Sequence, residues 1–188
     1  MSHIDSQQSF AKPVPQHARV VIIGGGILGG SVAYHLGKLG WRDIVLLEQG
    51  QLTCGTTWHA AGLVGQLHGS HATTAFAKYT VELLNSIEAE TGQNPGYRES
   101  GSISIATHAE RLSELKRKAD FASLFSIEAH YLTTEEIQQR WPLINPENVL
   151  GGIFMPRDGS ANPVDLTMAL AKGARQHQVQ IFEGVEAL

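Results

Sequence analysis

Three glycines and one acid carry the first chemistry in this chain. Gly24, Gly26 and Gly29 stand in a G-x-G-x-x-G spacing, and Glu48 follows nineteen residues after Gly29. This pattern suits a backbone that must approach a diphosphate. Gly24 allows a tight turn, Gly26 leaves room for the pyrophosphate, and Gly29 lets a helix pack closely on a sheet. The amides of Ile27 and Leu28 would then open the helix as unpaired donors at the positive end of its dipole, where negative charge is stabilised. Glu48 occupies the place at which a dinucleotide fold binds ribose hydroxyls. An acid there argues against a 2′-phosphate, and so against NADP.

A second set of residues lies just beyond. Residues 49–69 hold Thr53, Cys54, Gly55, Thr56, Thr57, Trp58, His59, Ala60, Ala61, Gly62 and Gly65: small, hydroxylated and glycine residues around one tryptophan and one histidine. Such a loop lets amides and hydroxyls close on a ligand held by the preceding unit. The same composition also describes an ordinary connection with a buried Trp58 and a hydrogen-bonded His59.

The elements that must position these residues follow from apolar patterning. Val20-Val21-Ile22-Ile23 is short, β-branched and halted by glycine, as expected of a buried parallel strand. Ile27, Leu28, Val32, Ala33, Leu36 and Leu39 form a helical stripe that Gly40 ends, and Ile44-Val45-Leu46-Leu47 is a second strand. Further on, Phe76, Tyr79, Leu83, Leu84 and Ile87 predict an amphipathic helix over 73–90, closed by Thr91-Gly92. A period-two strand over 101–107 and a helix over 108–124 come next, the latter with Leu112, Leu115, Ala119 and Ala122 inward. His130-Tyr131-Leu132 is a short strand, and Thr133 with Glu136 forms a capping box for a helix stopped at Trp141-Pro142. A strand over 149–155, a helix capped by Asn162 with Pro163 in its first turn, and a strand from Val179 complete the order.

Composition narrows the class. The chain has 188 residues, 42% hydrophobic and 17% charged, with a net charge of −4, enough for one sizeable core. That charge offers no reason to expect nucleic acid or an anionic membrane as a partner. No apolar run approaches the roughly 18 residues of a membrane span. Cys54 is the single cysteine, which excludes an internal disulfide and makes a reducing compartment, the cytoplasm, the expectation. Its ordinary place is as a small buried hydrophobe. His68 and His71 have helical i, i+3 spacing but no third ligand, so no metal site is expected. Residues 1–17, polar and containing Pro13 and Pro15, read as a disordered lead-in.

The segment Leu52-Thr53-Cys54-Gly55-Thr56-Thr57-Trp58-His59-Ala60-Ala61-Gly62-Leu63, following the dinucleotide unit, resembles the dimethylglycine and sarcosine dehydrogenases of the FAD-dependent amine oxidoreductase superfamily. The similarity extends through Thr91-Gly92, Gly101-Ser102-Ile103 and Asp165-Leu166-Thr167-Met168-Ala169-Leu170-Ala171. It implies an α/β fold: a Rossmann-type FAD-binding domain with the start of an α+β substrate domain, incomplete at the C-terminus. Residues 18–70 would form the FAD-binding core, about 95–160 the substrate side, and 162–185 a return helix and strand.

The resemblance also implies roles. His59 matches the histidine joined covalently to the 8α carbon of the flavin, and neutral imidazole is a competent nucleophile. Gly24, Gly26, Ile27, Leu28 and Gly29 would meet the pyrophosphate, Glu48 and Gln49 the adenosine ribose. Gly55, Thr56, Thr57, Trp58, His59, Ala60, Ala61, Gly62 and Leu63 would line the path to the flavin, with Trp58 expected as core packing. The implied reaction is oxidation of the N-methyl group of a small methylated amino acid, dimethylglycine or sarcosine. Electrons would pass to oxygen or an electron-transfer flavoprotein, and tetrahydrofolate would act through a domain outside this chain. Catalytic acid-base residues would lie beyond Leu188, in a longer protein of which this is an N-terminal fragment. A noncovalent-FAD amino-acid oxidase and a non-catalytic regulatory homologue of the family stand as alternatives.

Overall fold

The structure, a computed structural model, describes residues 13–188. The expected lead-in lies outside the described residues up to residue 12, and 13–17 form neither helix nor strand. From there the chain runs through β1 (Val20–Ile23), α1 (Ile27–Lys38), β2 (Ile44–Glu48), a 3-10 turn (Thr57–His59), β3 (Leu63–Val64) and α2 (His71–Thr91). Next come β4 (Ser102–Ala106), α3 (Ala109–Ser123), β5 (His130–Leu132), α4 (Thr134–Arg140), β6 (Gly151–Met155), β7 (Gly159–Ser160), α5 (Pro163–Gln176) and β8 (Gln180–Glu183).

The parallel strands β1, β2 and β8 lie in that order, with Val20 opposite Ile44 and Val45 opposite Gln180. Parallel neighbours need crossovers, and α1 and α5 supply helices that pack together against this sheet. Their shared core holds Ala33, Tyr34, Ile44, Leu46, Ala169, Leu170 and Ala174. Gly40, at φ +87°, closes α1 with its N–H donating to the Gly37 carbonyl, the left-handed stop that favours glycine. A second sheet pairs β4, β6 and β5 antiparallel. Leu115, Ala119 and Ala122 of α3 pack with its Ile153 and Met155, while Ile137 of α4 packs with Leu132 and Val149. The capping box of α4 and the Asn162 cap of α5 form as the residue types require.

Three expectations change. Strand β1 is covered on one face alone: Val21 and Ile23 are exposed, because the helices lie over Val20 and Ile22. Helix α1 buries Gly30, Ala33, Tyr34 and Gly37, while Leu28, Val32 and Leu39 are exposed. Close approach of α5 is made over Gly30 and Ala33, with Tyr34 fitted against Gly173, while Ile27 and Leu36 of the expected stripe pack partly on the same core. Phe76 and Tyr79 of α2 are likewise exposed, beside a cleft of about 620 Å³ lined by Leu28, Phe76, Tyr79, Leu83, Leu166 and Leu170.

A polar knot fixes the far end of α1. The Tyr34 hydroxyl donates to Glu90 Oε2 at 2.8 Å and accepts from Lys38 Nζ at 2.9 Å, while Lys38 also donates to Glu90 at 2.8 Å. Burial pushes the Tyr34 hydroxyl pKa up. The Glu90 carboxyl, which burial alone would raise, is held below its usual range by the bonds from Lys38 and Tyr34.

Candidate functional site

The glycine turn comes off the end of β1. Gly24 adopts φ +105°, and its N–H donates to the Leu47 carbonyl at 2.8 Å. A Cβ on Gly29 would overlap the Gly24 carbonyl oxygen, so close packing of α1 on the turn demands glycine there. Gly26 is the N-cap of α1 and has no side chain with which to cap it. The Ile27 N–H donates instead to Thr57 Oγ1 at 3.0 Å, from a residue thirty positions away. The N–H groups of Leu28 and Gly29 have no acceptor among the described residues. They are the outward-facing donors of the helix end.

Glu48 closes β2 beside that turn and is 9% exposed. One carboxylate oxygen accepts from the Gly25 N–H at 2.6 Å, the other from the Gly50 N–H at 2.9 Å. The Gly50 and Gly25 amides hold this carboxyl below the usual carboxylate range, because donors stabilise its charged form. Oε2 keeps a further lone pair, so a hydroxyl donor can still bind there, whereas Oε1 also faces the Cys54 thiol. Gln49 is exposed next to it.

The segment after Glu48 is fastened at intervals along its length. The Leu52 N–H donates to Glu183 Oε1 at 2.7 Å and the Thr53 N–H to the Gly25 carbonyl at 3.1 Å. Thr53 is buried and takes a left-handed φ of +73° to make the bend. The 3-10 turn then brings Thr57 inward and Trp58 and His59 outward. Gly62 follows at φ +70°, with its carbonyl accepting from the Ala161 N–H at 2.8 Å. Leu63 pairs with Ser160 in the β3–β7 ladder. Asp158 finishes the fastening: its carboxylate accepts from the Gln66 N–H at 2.9 Å and the Ser102 hydroxyl at 2.6 Å.

Trp58 and His59 lie together, ring centroids 3.8 Å apart. His59 Nδ1 sits 3.2 Å from the Gly55 carbonyl oxygen. That oxygen can only accept, so Nδ1 carries the hydrogen and Nε2 holds the lone pair of the neutral ring. The imidazole thus presents its nucleophilic nitrogen from an exposed position.

Two expectations are corrected. Trp58 is 57% exposed and is no part of the core, because the 3-10 turn spends its inward position on Thr57. Cys54 is exposed rather than buried, its thiol donating to Glu48 Oε1 at 3.7 Å. Gly55, Thr56, Ala60, Ala61 and Leu63 are also exposed along the same segment. Among the described residues no group of three His, Cys, Asp or Glu side chains is placed to hold a metal. His68 instead contacts the Gly65 carbonyl and His71 packs on Phe125. Sequence reasoning missed Glu183 and Asp158, and missed the bond from Ile27 to Thr57. These contacts span large separations, and no spacing rule signals them.

Comparison with known proteins decides the family. Residues 19–188 match the family model described as "FAD dependent oxidoreductase". The chain belongs to that family. It is 43% identical over 162 residues to mitochondrial dimethylglycine dehydrogenase of Rattus norvegicus, covering 86% of this chain and 19% of that protein. It is 37% identical over 187 residues to the mitochondrial pyruvate dehydrogenase phosphatase regulatory subunit of Mus musculus, covering 100% of this chain and 21% of that one. The crystal structure of L-proline dehydrogenase from P. horikoshii superposes with a TM-score of 0.83 at 26% identity, over 90% of this chain and 45% of that one. The chain spans about a fifth of the length of these curated relatives. The fold is the α/β, Rossmann-type arrangement of FAD-binding oxidoreductases. No helix among the described residues is long and apolar enough to cross a membrane.

The residues present fit the family's cofactor. The free Leu28 and Gly29 amides at the positive end of α1 suit a pyrophosphate. The Glu48 carboxylate, a turn away through Gly25, suits ribose hydroxyls.

Proposed function

We propose that this chain forms the cofactor-holding part of an enzyme that oxidises the N-methyl group of a small methylated amino acid, dimethylglycine or sarcosine, with FAD attached covalently to His59. The observation that carries this proposal is the His59 turn. The ring is held by Gly55 through Nδ1, has no hydrogen-bond partner on Nε2 among the described residues, and is docked through Thr57 on the same helix end that offers the phosphate donors. The 43% identity to a dimethylglycine dehydrogenase supports the substrate class.

In this proposal Gly24, Gly26, Leu28 and Gly29 receive the pyrophosphate, with Ile27 engaged through Thr57, and Glu48 and Gln49 meet the ribose. Gly55, Thr56, Thr57, Trp58, Ala60, Ala61, Gly62 and Leu63 line the way to the ring system. Residues 18–70 are the cofactor core, 95–160 begin the substrate side, and 162–185 return to the first sheet. Bound FAD supplies the two-electron acceptor for the N-methyl carbon–hydrogen bond. The protein's own part is placement: amides for charge, Glu48 for ribose orientation, and Nε2 of His59 for anchorage. In the same proposal oxygen or an electron-transfer flavoprotein accepts the electrons and tetrahydrofolate takes the one-carbon product, and no acid-base group is assigned within these 188 residues. The exposed thiol of Cys54 suits a reducing compartment, the cytoplasm or, as in the relatives' names, the mitochondrion.

Acid precipitation of the full-length protein tests the attachment. Yellow colour should stay with wild-type protein and leave with the supernatant in His59→Ala. Colour lost from both would reject covalent binding and favour a noncovalent oxidase. The phosphatase regulatory subunit, 37% identical along the whole chain, supports a second, non-catalytic proposal. Bleaching of the flavin spectrum by dimethylglycine under anaerobic conditions would exclude it.

A further inference from the structure

We propose that Thr57 is the positioning residue that docks the His59 turn on the amino end of α1, and that position 26 is glycine to admit the Thr57 hydroxyl. The inference rests on FAD being the ligand of this site. Helix α1 begins without a capping side chain of its own, since Gly26 has none to offer. The loop provides the missing acceptor: Thr57 Oγ1 takes the Ile27 N–H at 3.0 Å. A Cβ built on Gly26 would lie 2.8 Å from that same Oγ1. The space that a glycine opens above the turn is therefore already claimed by the loop.

Two further facts give this contact its weight. Between residues 55 and 61, the bond from Ile27 to Thr57 is the one hydrogen bond that ties the segment to the rest of the described chain. Thr57 is also only 7% exposed, and its hydroxyl proton has no acceptor among the described residues. A buried hydroxyl that accepts from the helix keeps a donor for an anionic ligand at the same helix end. Trp58 and His59 follow Thr57 directly. The helix end that receives the pyrophosphate and the turn that carries the imidazole thus move as one unit, joined by a single side chain.

The same geometry changes what Gly26 is for. A side chain at 26 does its first damage within the protein, by rotating the Thr57 hydroxyl off Ile27. Removing Oγ1 should therefore make the substitution at 26 tolerable.

The test uses the full-length protein in a His59→Ala background, so that FAD binding is reversible and its dissociation constant can be measured. Thr57→Ala should weaken FAD about tenfold, the usual worth of a buried bond, and Thr57→Ser should restore it to within about twofold. Gly26→Ala alone should also weaken FAD, yet add less than about twofold when Thr57→Ala is already present. Equal losses from Gly26→Ala in both backgrounds, or an unchanged affinity in Thr57→Ala, would overturn the proposal. Thr57→Val replaces the alanine variant if the latter fails to fold. With His59 intact, acid-stable flavin should form more slowly in Thr57→Ala than in wild type at saturating FAD, and at the wild-type rate in Thr57→Ser. Equal rates in all three would also count against it. If wild type forms no acid-stable flavin, the covalent attachment fails, and the affinity measurements alone decide the role of Thr57.

Discussion

The glycine turn and the histidine turn meet at one helix end but are built on opposite terms. The first is a local structure: strand, turn, helix and strand follow one another from Val20 to Glu48, and the bonds from Gly24 to Leu47 and from Gly25 to Glu48 close within that run. The second has almost no structure of its own. It is a succession of bends held by bonds to Gly25 and Ile27, to Asp158 and Ala161, and to Glu183, which belong to three separate parts of the chain. Local structure tolerates little change at its glycines. A segment held from outside tolerates change everywhere except at its fastening points.

Gly29→Ala sets that difference most sharply against Gly55→Ala. The new Cβ at 29 would overlap a backbone oxygen of Gly24, which cannot rotate away, whereas at 55 it would meet open space. Overpacking against backbone should cost about 3 kcal/mol or more at position 29. The surface change at 55 should stay within about 0.5 kcal/mol. Urea unfolding of the two variants measures both. A Gly29→Ala protein as stable as wild type would dissolve the distinction between the two turns.

Glu48 joins the turns, and its charge is the next largest effect. Glu48→Gln should cost about 1.5–3 kcal/mol at pH 7, the range for hydrogen bonds to a charged group, through the bonds from Gly25 and Gly50. The folded carboxyl titrates below its usual value because of those amides. Its contribution is therefore present above the unfolded carboxyl value of about 4.3 and is lost as pH falls through the lower folded value. Unfolding curves for wild type and variant should lie apart at neutral pH and converge in acid. A gap that widens in acid would mean that the carboxylate is a burden in the folded state.

How much of this was legible before the structure divides along the same line. The span from Val20 to Glu48 was readable because each residue's task follows from its neighbours: Gly40 stops α1, and Glu48 ends β2. The same holds for the Thr133–Glu136 capping box and the Asn162 cap. Which face of α1 is buried was readable only in part: Ile27, Ala33 and Leu36 of the expected stripe pack into the core, and Leu28, Val32 and Leu39 do not. Leu28, Val32 and Leu39 make a more apolar stripe than Gly30, Ala33 and Gly37, yet α5 approaches the smaller face. That choice belongs to the partner helix rather than to α1. The fastenings of the second segment were invisible for a related reason. Thr57 to Ile27, Leu52 to Glu183 and Gln66 to Asp158 lie 30, 131 and 92 residues apart, and such contacts leave no period in the sequence.

Trp58 gives the finest probe of the comparison. It stands between the inward Thr57 and the outward His59, 57% exposed, with its ring against the imidazole. A tryptophan in a core would cost about 3–5 kcal/mol on truncation to alanine, because a cavity remains. Trp58→Ala leaves no cavity, so its cost should stay below about 1 kcal/mol, the scale of one exposed aromatic contact. What it removes is a wall that restricts the imidazole on one side, while the Gly55 carbonyl still holds Nδ1. Thermal unfolding should therefore change little, while the imidazole resonances of His59 in a nuclear magnetic resonance spectrum should broaden or shift. Large destabilisation would return Trp58 to the core. An unchanged His59 signal would show that Gly55 and Thr57 fix the ring without it.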